Sequence, residues 1–245
     1  MAIKLYVIPG SHPCDCVEAA MRLKGLEYER VDLLPLVHKA VIGARFRAGT
    51  VPAMTIDGER IVGSRPILRR LDRLAPEPPL LPSDPALRAR VEEAESFGDE
   101  TLQPIARRIA WAALKRNRAA MMSYARDSRL GLPQPLVKLG SAPVAAAACR
   151  YNRATDAQVR EDLRSLPGHL DRVDGWIAEG VLGGESPNAA DLQIGSSIRL
   201  LRTFADVAPL LSGRPCEGLG ERGFRPLPGS VPAGTLPADF IPAQA

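Results

Sequence analysis

The dipeptide Asp57-Gly58 limits the possible folds of this 245-residue chain more than any other short segment. It joins two short runs rich in apolar residues, 51–56 and 59–62. Asp-Gly in that position favours a tight β-hairpin, because the central residues of such a turn need a positive φ. We therefore expect two neighbouring antiparallel strands here, with a helix over 65–74 directly after them.

The residues before this hairpin alternate between strand-like and helix-like patterns. An apolar run predicts a strand over 3–8, and helical periodicity over 14–24 predicts a helix that Gly25 closes. A second strand is expected over 27–33, followed by an irregular stretch over 34–50. The order βαβ…ββα predicts a mixed four-stranded sheet with helices packed against it, which is an α/β thioredoxin-like arrangement.

The proline-rich segment 75–82 separates this first unit from the rest of the chain. Proline lacks the amide donor and clashes with the preceding turn, so no helix continues through the segment. Beyond it, apolar residues recur at three- and four-residue steps, which predicts an all-α helical bundle, with a kink or break at Pro167-Gly168. We expect a thioredoxin-like domain over 1–76, an all-helical domain over 84–224 and a proline-rich tail over 225–245, extended or loose.

Composition and charge exclude several classes of protein. Hydrophobic residues make up 45% of the chain and charged residues 24%, which is ordinary for a chain that folds in water. The net charge of +4 is spread along the sequence and only 4% of residues are aromatic, which argues against nucleic-acid binding. With no long apolar stretch and no cleavage-site pattern, we expect a cytoplasmic protein without a membrane partner. The four cysteines are expected to be free thiols, without a metal.

The segment Ser11-His12-Pro13-Cys14 lies between the first strand and the first helix, where a thioredoxin-like fold has its reaction centre. The amides and the dipole of a helix N-terminus favour an anion such as a thiolate there. A Ser11 hydroxyl that donates to a thiolate is expected to lower the thiol pKa by about one to two units. Ser11 is thus a candidate catalytic residue, or only a helix cap. Cys14 is either redox-active or structural, and Cys16 is expected in the core. His12 acts as an acid or base or, as is usual for a lone exposed histidine, is a bystander.

Two further segments are suited to binding a peptide-like ligand. Val51-Pro52 precede the third strand, where this kind of fold presents an X-Pro bond beside the reaction centre. If that bond is cis, the N–H and C=O of Val51 are open to an extended ligand; the alternative is an ordinary proline at a strand entry. Ser64 begins the next helix, where its hydroxyl and the nearby amides suit a carboxylate or simply cap the helix.

Four short motifs resemble the glutathione S-transferase superfamily, over residues 2–80 and 85–222. The motifs are Ser11…Val17…Lys24-Gly25-Leu26-x-Tyr28, Val51-Pro-Ala-Met with Asp57-Gly58, Gly63-Ser64-Arg-x-Ile67, and Asn188-Ala-Ala-Asp191-Leu-x-Ile194. The resemblance implies glutathione as co-substrate, no metal, and a possible homodimer. It also implies an all-helical second domain in which Asp191 is structural.

The same resemblance implies roles for individual residues. Ser11 would donate to the glutathione sulfur, Val51 with Pro52 would bind the cysteinyl backbone, and Ser64 beside Arg65 would bind the γ-glutamyl carboxylate. His38 and Lys39 occupy a stretch where some classes contact the glycine carboxylate. A second-substrate pocket would be lined by Trp111, Met121, Met122 and Tyr124, which would otherwise be plain core.

The resulting hypothesis is a glutathione-dependent transferase, of the kind used in detoxification. It would activate the thiolate of glutathione, or of another small thiol, at Ser11 for attack on a small hydrophobic electrophile. One alternative is a glutathione-dependent thiol-disulfide oxidoreductase that uses Cys14, which requires a lowered Cys14 pKa. Another is a non-catalytic binding or assembly module, favoured by Gly63 and the segment 47–50, which depart from the superfamily's pattern.

Overall fold

The computed structural model describes residues 1–124, 126 and 134–242, and side chains for all of these except 134–138. Four strands form one sheet in the order β2-β1-β3-β4. Their bounds are β1 Ile3–Val7, β2 Glu29–Asp32, β3 Ala53–Ile56 and β4 Glu59–Val62. Strand β1 is parallel to β2 and antiparallel to β3, and the hairpin pairs Ile56 with Glu59 across Asp57-Gly58. The predicted mixed sheet and hairpin are confirmed.

Three helices pack on this sheet: α1 His12–Leu23, α2 Val37–Phe46 and α3 Ser64–Leu74. Side chains of β1 alternate between the two faces, so Leu5 and Val7 share one face and Tyr6 lies on the other. Tyr6 meets Phe46 of α2 edge-on, with 5.2 Å between ring centroids. The sheet is thereby covered on both faces, as the thioredoxin-like prediction requires.

Helix α2 corrects the expectation of an irregular stretch over 34–50. Neither end of this helix has a capping residue with a sequence signature. Leu36, which precedes it, has φ 70°, and Arg47, which follows it, has φ 55°. A positive φ at a helix end is usually adopted by glycine. Because neither residue is a glycine, the sequence gives no local signal for either end of α2.

The rest of the chain is helical, apart from short connections. Its helices are α4 Pro85–Phe97, α5 Gln103–Arg116, α6 Arg118–Tyr124, α7 Gln134–Tyr151, α8 Asp156–Ala178 and α9 Ala189–Arg202. A one-turn π-helical segment, Gly98–Leu102, joins α4 to α5. In the part of the chain that the structure describes, no helix combines the length and apolarity needed to cross a membrane. The predicted combination of a thioredoxin-like unit and a helical unit is confirmed, and the domain limits at 76, 84 and 224 stay predictions.

Helix α8 corrects part of a second expectation: it continues through Pro167, so the expected break is wrong, and the kink stays a prediction. A proline inside a helix costs one hydrogen bond and a local clash. Leu163, Leu166 and Leu170 are fully buried on both sides of that point. Their burial stabilises the continuous helix against the local cost of the proline.

Helix α9 lies at the centre of the molecule, with almost every residue buried. Its N-terminus is a capping box, formed by the first and fourth residues of the motif that begins at Asn188. The Asn188 side chain accepts from the amides of Ala190 and Asp191, at 2.9 and 3.0 Å. Asp191 accepts from the amides of Asn188 and Gly183, at 2.9 and 2.8 Å. These bonds satisfy backbone groups that would otherwise be buried without partners at the start of the helix.

The tail after residue 224 is packed against the helical unit, so the loose alternative is wrong as far as residue 242. Val231, Leu236 and Phe240 are buried. The carboxylate of Asp206 accepts amides from the tail at residues 234–236, over 2.6 to 3.0 Å. The tail therefore contributes to the core although it has only one short 3-10 helix, Ala238–Phe240.

Candidate functional site

A cavity of about 340 Å³ lies between the sheet domain and helices of the second unit. One wall comes from the β1–α1 turn, the start of α2 and the residues before β3. The opposite wall comes from α5, α6 and α7. Among the residues that line it are Ser11, His38, Lys39, Val51, Arg107, Trp111, Met121, Met122, Tyr124 and Tyr151.

Ser11 is held at the floor of this cavity by its own backbone. Its amide donates to the Ile8 carbonyl at 3.0 Å, and its carbonyl accepts from the amides of Cys14 and Asp15. The hydroxyl makes no capping bond to the helix, so the role of a simple N-cap does not account for it. Pro13 has no N–H, so the first turn of α1 offers one amide fewer to a bound anion than a helix without proline.

Cys14 lies directly below Ser11 and is 1% exposed. Burial raises the pKa of the Cys14 thiol to about 12, although a hydrogen bond with Ser11 acts in the opposite direction. This shift is opposite to the lowered pKa that the oxidoreductase alternative requires. Cys16 is also buried, as expected, and burial raises its pKa well above the usual value.

His12 corrects the expectation of an exposed histidine, since it is only 3% exposed. Its Nε2 lies 3.3 Å from the carbonyl oxygen of Gln103 in α5. Burial and the nearby Arg107 guanidinium lower the pKa of His12 to about 3, so the ring is neutral near pH 7. His12 therefore joins the sheet domain to the helical unit rather than acting as a bystander.

The Val51–Pro52 peptide bond is cis, and Val51 lines the cavity. The Gly63 amide donates to the Pro52 carbonyl at 2.9 Å, which brings the start of α3 next to this bond. Ser64 therefore lies near the Val51–Pro52 segment, buried and just outside the cavity lining. Arg65 is paired with Glu100 at 3.3 Å and with Glu95 at 3.5 Å, so two carboxylates already compete for it.

His38 and Lys39 lie in the first turn of α2 and both line the cavity. The Lys39 ammonium lies 3.1 Å from the centre of the Tyr151 ring, a cation–π contact that joins α2 to α7. Burial and the charge of Lys39 lower the pKa of His38. The two residues thus form one side of the cavity, and their contact with a glycine carboxylate stays a prediction.

The second wall is lined by the predicted residues Trp111, Met121, Met122 and Tyr124. Tyr124 also donates to or accepts from the Thr203 hydroxyl at 2.5 Å. Sequence reasoning missed Arg107, which lies one helical turn before Trp111 and lines the same cavity. The spacing of 107, 110, 111 and 114 is the signal that would have identified it, because these positions share one helix face.

The charges around this cavity favour an anionic ligand. Its described lining residues include Lys39 and Arg107, and none of them is an aspartate or glutamate. Ser11 presents a hydroxyl at the floor of the cavity, and much of the second wall is apolar. Such a site can hold a polar thiol at Ser11 beside an apolar group from another molecule.

Comparison with known proteins identifies the first domain. Residues 5–79 match the family described as "Glutathione S-transferase, N-terminal domain". The chain is 34% identical over 91 residues to "Probable maleylacetoacetate isomerase" from Caenorhabditis elegans, covering 36% of this chain and 42% of that protein. It is 37% identical over 107 residues to "Glutathione S-transferase Z2" from Arabidopsis thaliana, covering 42% and 47%. The matched part of the chain spans less than half the length of these curated relatives.

The whole fold also has counterparts among solved structures. The maleylacetoacetate isomerase of Anaeromyxobacter dehalogenans, solved with bound glutathione, superposes with a TM-score of 0.54. The match covers 89% of each chain at 19% sequence identity. At that identity the likeness establishes a shared two-domain fold, and it extends the match beyond the first domain.

Proposed function

We propose that this chain is a glutathione-dependent transferase, because residues 5–79 match the N-terminal domain of glutathione S-transferases and the chain shares a two-domain fold with a glutathione-bound isomerase structure. Ser11 would activate the glutathione thiol, and the electrophile would occupy the part of the cavity next to the helical unit. The observation that carries this proposal is that Ser11, with no capping bond, lines a cavity whose opposite wall is largely apolar. The relatives named as transferases and isomerases support chemistry of this general kind.

The residues of the first domain suit glutathione in its chemistry. Glutathione carries two carboxylates and an extended peptide backbone, and the cavity is lined by Lys39 and by Val51 beside a cis peptide bond. Val51 would bind the cysteinyl backbone in the manner of a strand partner. Lys39 would bind the glycine carboxylate, and Ser64 the γ-glutamyl carboxylate. Arg65 contributes less, because Glu95 and Glu100 already neutralise it.

The proposed reaction is a nucleophilic attack by sulfur. The thiol proton of glutathione passes to solvent, and the Ser11 hydroxyl then donates a hydrogen bond to the sulfur anion. A charge-assisted bond of this kind is worth about 1.5 to 3 kcal/mol and lowers the thiol pKa by about one to two units. The sulfur lone pair forms a C–S bond to the electrophilic carbon, and a leaving group departs with the electrons of the broken bond.

Two variants distinguish this mechanism from the Cys14 alternative. Ser11→Ala is expected to lose most of the transfer rate, whereas Cys14→Ala is expected to retain it. A bromomethyl-arene with glutathione is a suitable assay, followed by release of bromide. Loss of transfer in Cys14→Ala with transfer retained in Ser11→Ala would contradict the proposal and support thiol-disulfide chemistry.

The proposal also covers the cellular location and the oligomeric state of the enzyme. We include a cytoplasmic location and a possible homodimer, both carried over from the sequence. The non-catalytic alternative remains a distinct hypothesis, supported by Gly63 and by the unusual segment before Val51. It predicts that the protein binds a partner but transfers glutathione to no electrophile.

A further inference from the structure

Arg107 is a cation of the cavity wall that forms no ion pair with any carboxylate in the described part of the chain. Its Nη2 donates to the Gln103 side-chain oxygen, and the Gln103 amide in turn donates to Asp99 at 3.2 Å. A neutral amide thus lies between Arg107 and Asp99. Among the described residues no carboxylate lies within 4.0 Å of the Arg107 guanidinium, in contrast to the adjacent Arg108, which binds Asp162 at 2.6 and 2.7 Å.

A guanidinium in this environment favours an anion strongly. Arg107 lies among apolar neighbours on the face of α5 that also carries Ala110, Trp111 and Leu114. Burial disfavours the charged guanidinium, and the Asp99 carboxylate offsets this only from beyond 4.0 Å. An anion that enters the cavity and contacts Arg107 therefore gains more than one that binds a solvated arginine. The planar guanidinium also matches the two oxygens of a carboxylate.

Lys39 and Arg107, the two lysine or arginine residues among the described lining residues, lie on different walls of the cavity. Lys39 lies on α2 in the domain that carries Ser11 and Val51, on the side proposed for glutathione. Arg107 lies on α5, beside Trp111, on the side left for the second substrate. Arg107 is therefore placed to act on the electrophile rather than on a carboxylate of glutathione.

We propose that the second substrate carries a carboxylate, which Arg107 binds while the apolar body of the substrate packs on the wall formed with Trp111. This inference rests on the proposed function and narrows it. It adds a carboxylate to the small hydrophobic electrophile expected from the sequence. The electrophilic carbon would lie between the bound carboxylate and the sulfur held at Ser11.

The first test compares 4-(bromomethyl)benzoate with its methyl ester, which has the same reacting carbon but carries an added methyl group in place of the negative charge. In both, the glutathione sulfur displaces bromide and forms a C–S bond. The native protein is expected to prefer the benzoate. Arg107→Gln is expected to lower kcat/KM for the benzoate about ten- to hundredfold, the loss typical of one hydrogen bond to a charged group, and to leave the ester within about twofold. Arg107→Lys should restore part of the loss.

Arg118→Gln is the matched control, because Arg118 is exposed, lies on α6 and is absent from the cavity lining. It removes the same charge and should leave both substrates unchanged. Equal rate losses for both electrophiles in Arg107→Gln, together with a raised pKa of the bound thiol, would overturn the inference and assign Arg107 to the thiolate. Unchanged rates for both electrophiles would overturn it as well.

A binding measurement separates this inference from the proposed function. The unreactive 4-methylbenzoate should quench the tryptophan fluorescence of the protein in the absence of glutathione, and Arg107→Gln should weaken that binding about tenfold or more. If glutathione fails to bind but 4-methylbenzoate binds through Arg107, the proposed function fails and the anion site stands. If glutathione binds and the quenching is the same in Arg107→Gln, the anion site fails alone.

Discussion

Ser11 and Cys14 are neighbours at the start of α1 but differ in what surrounds them. Ser11 lines the cavity, whereas Cys14 is buried beneath it with its thiol pKa raised to about 12. A group that lines the cavity can act on a ligand without any rearrangement. A buried, protonated thiol cannot act as a nucleophile near pH 7. This difference supports the proposal that the Ser11 hydroxyl, and not the Cys14 thiol, acts on a bound thiol.

At the residue scale we expect Ser11→Ala to change the bound thiol more than the binding itself. Loss of the hydroxyl should raise the pKa of bound glutathione by about one to two units and should change its affinity near pH 6 only slightly. Ultraviolet absorbance of the thiolate across a pH series measures this pKa. An unchanged thiol pKa in Ser11→Ala would show that another group stabilises the anion.

The contact between α1 and α5 connects the two domains through a buried histidine. His12 is neutral, with its pKa lowered to about 3 from a usual value of 6.5. Below pH 6.5 the unfolded chain binds a proton at this position that the folded protein does not bind. The free energy of unfolding therefore falls as the pH falls from about 6.5 to 3, by up to roughly 5 kcal/mol from His12 alone.

At the element scale, His12→Asn should remove this acid sensitivity. The difference in unfolding free energy between the parent protein and His12→Asn should decrease as the pH is lowered from about 7 to 4, because only the parent carries the titrating group. Urea titrations at each pH provide the values, and taking the difference cancels the other titrating groups. A difference that stays constant with pH would mean that His12 is solvated in the folded state.

At the scale of the whole molecule, the tail contacts the wall of the cavity at one buried glycine. Gly229 is buried against the Tyr124 ring, and a Cβ added there would lie 2.4 Å from Tyr124 Cγ. Tyr124 in turn lines the cavity and bonds to Thr203 at 2.5 Å. The position of the tail therefore affects the wall of the site.

Gly229→Ala should consequently affect both stability and the second substrate. We expect a loss of about 1 to 3 kcal/mol, hence a Tm lower by about 2 to 12 °C, and a raised KM for the electrophile. Gly218→Ala is the control, since Gly218 is exposed and has open space around it. Equal Tm values for both variants would show that the tail does not press on Tyr124.

The features that the sequence predicts correctly are those that depend on a few neighbouring residues. The hairpin at Asp57-Gly58 and the cap at Asn188 each depend on a few neighbouring residues, and both are present. Helix α2 was missed because Leu36 and Arg47 adopt positive φ without being glycine. The continuity of α8 through Pro167 depends on burial against other helices, which the local sequence does not contain.

The candidate site was predictable in part for the same reason. Ser11 and Val51 were identified from their places in the strand order, and both line the cavity. The burial of His12, and the lack of a carboxylate beside Arg107 among the residues that the structure describes, depend on how the two domains meet. Those features follow from contacts between residues far apart in the sequence.

The decisive measurement is a calorimetric titration of the native protein with glutathione, with Ser64→Ala as the comparison. We expect a micromolar to millimolar Kd that becomes weaker in Ser64→Ala. At about 10 mM glutathione a millimolar ligand should also stabilise the protein by roughly 1.4 kcal/mol. No heat and no stabilisation at that concentration would rule out glutathione as the co-substrate and leave a binding module with this fold.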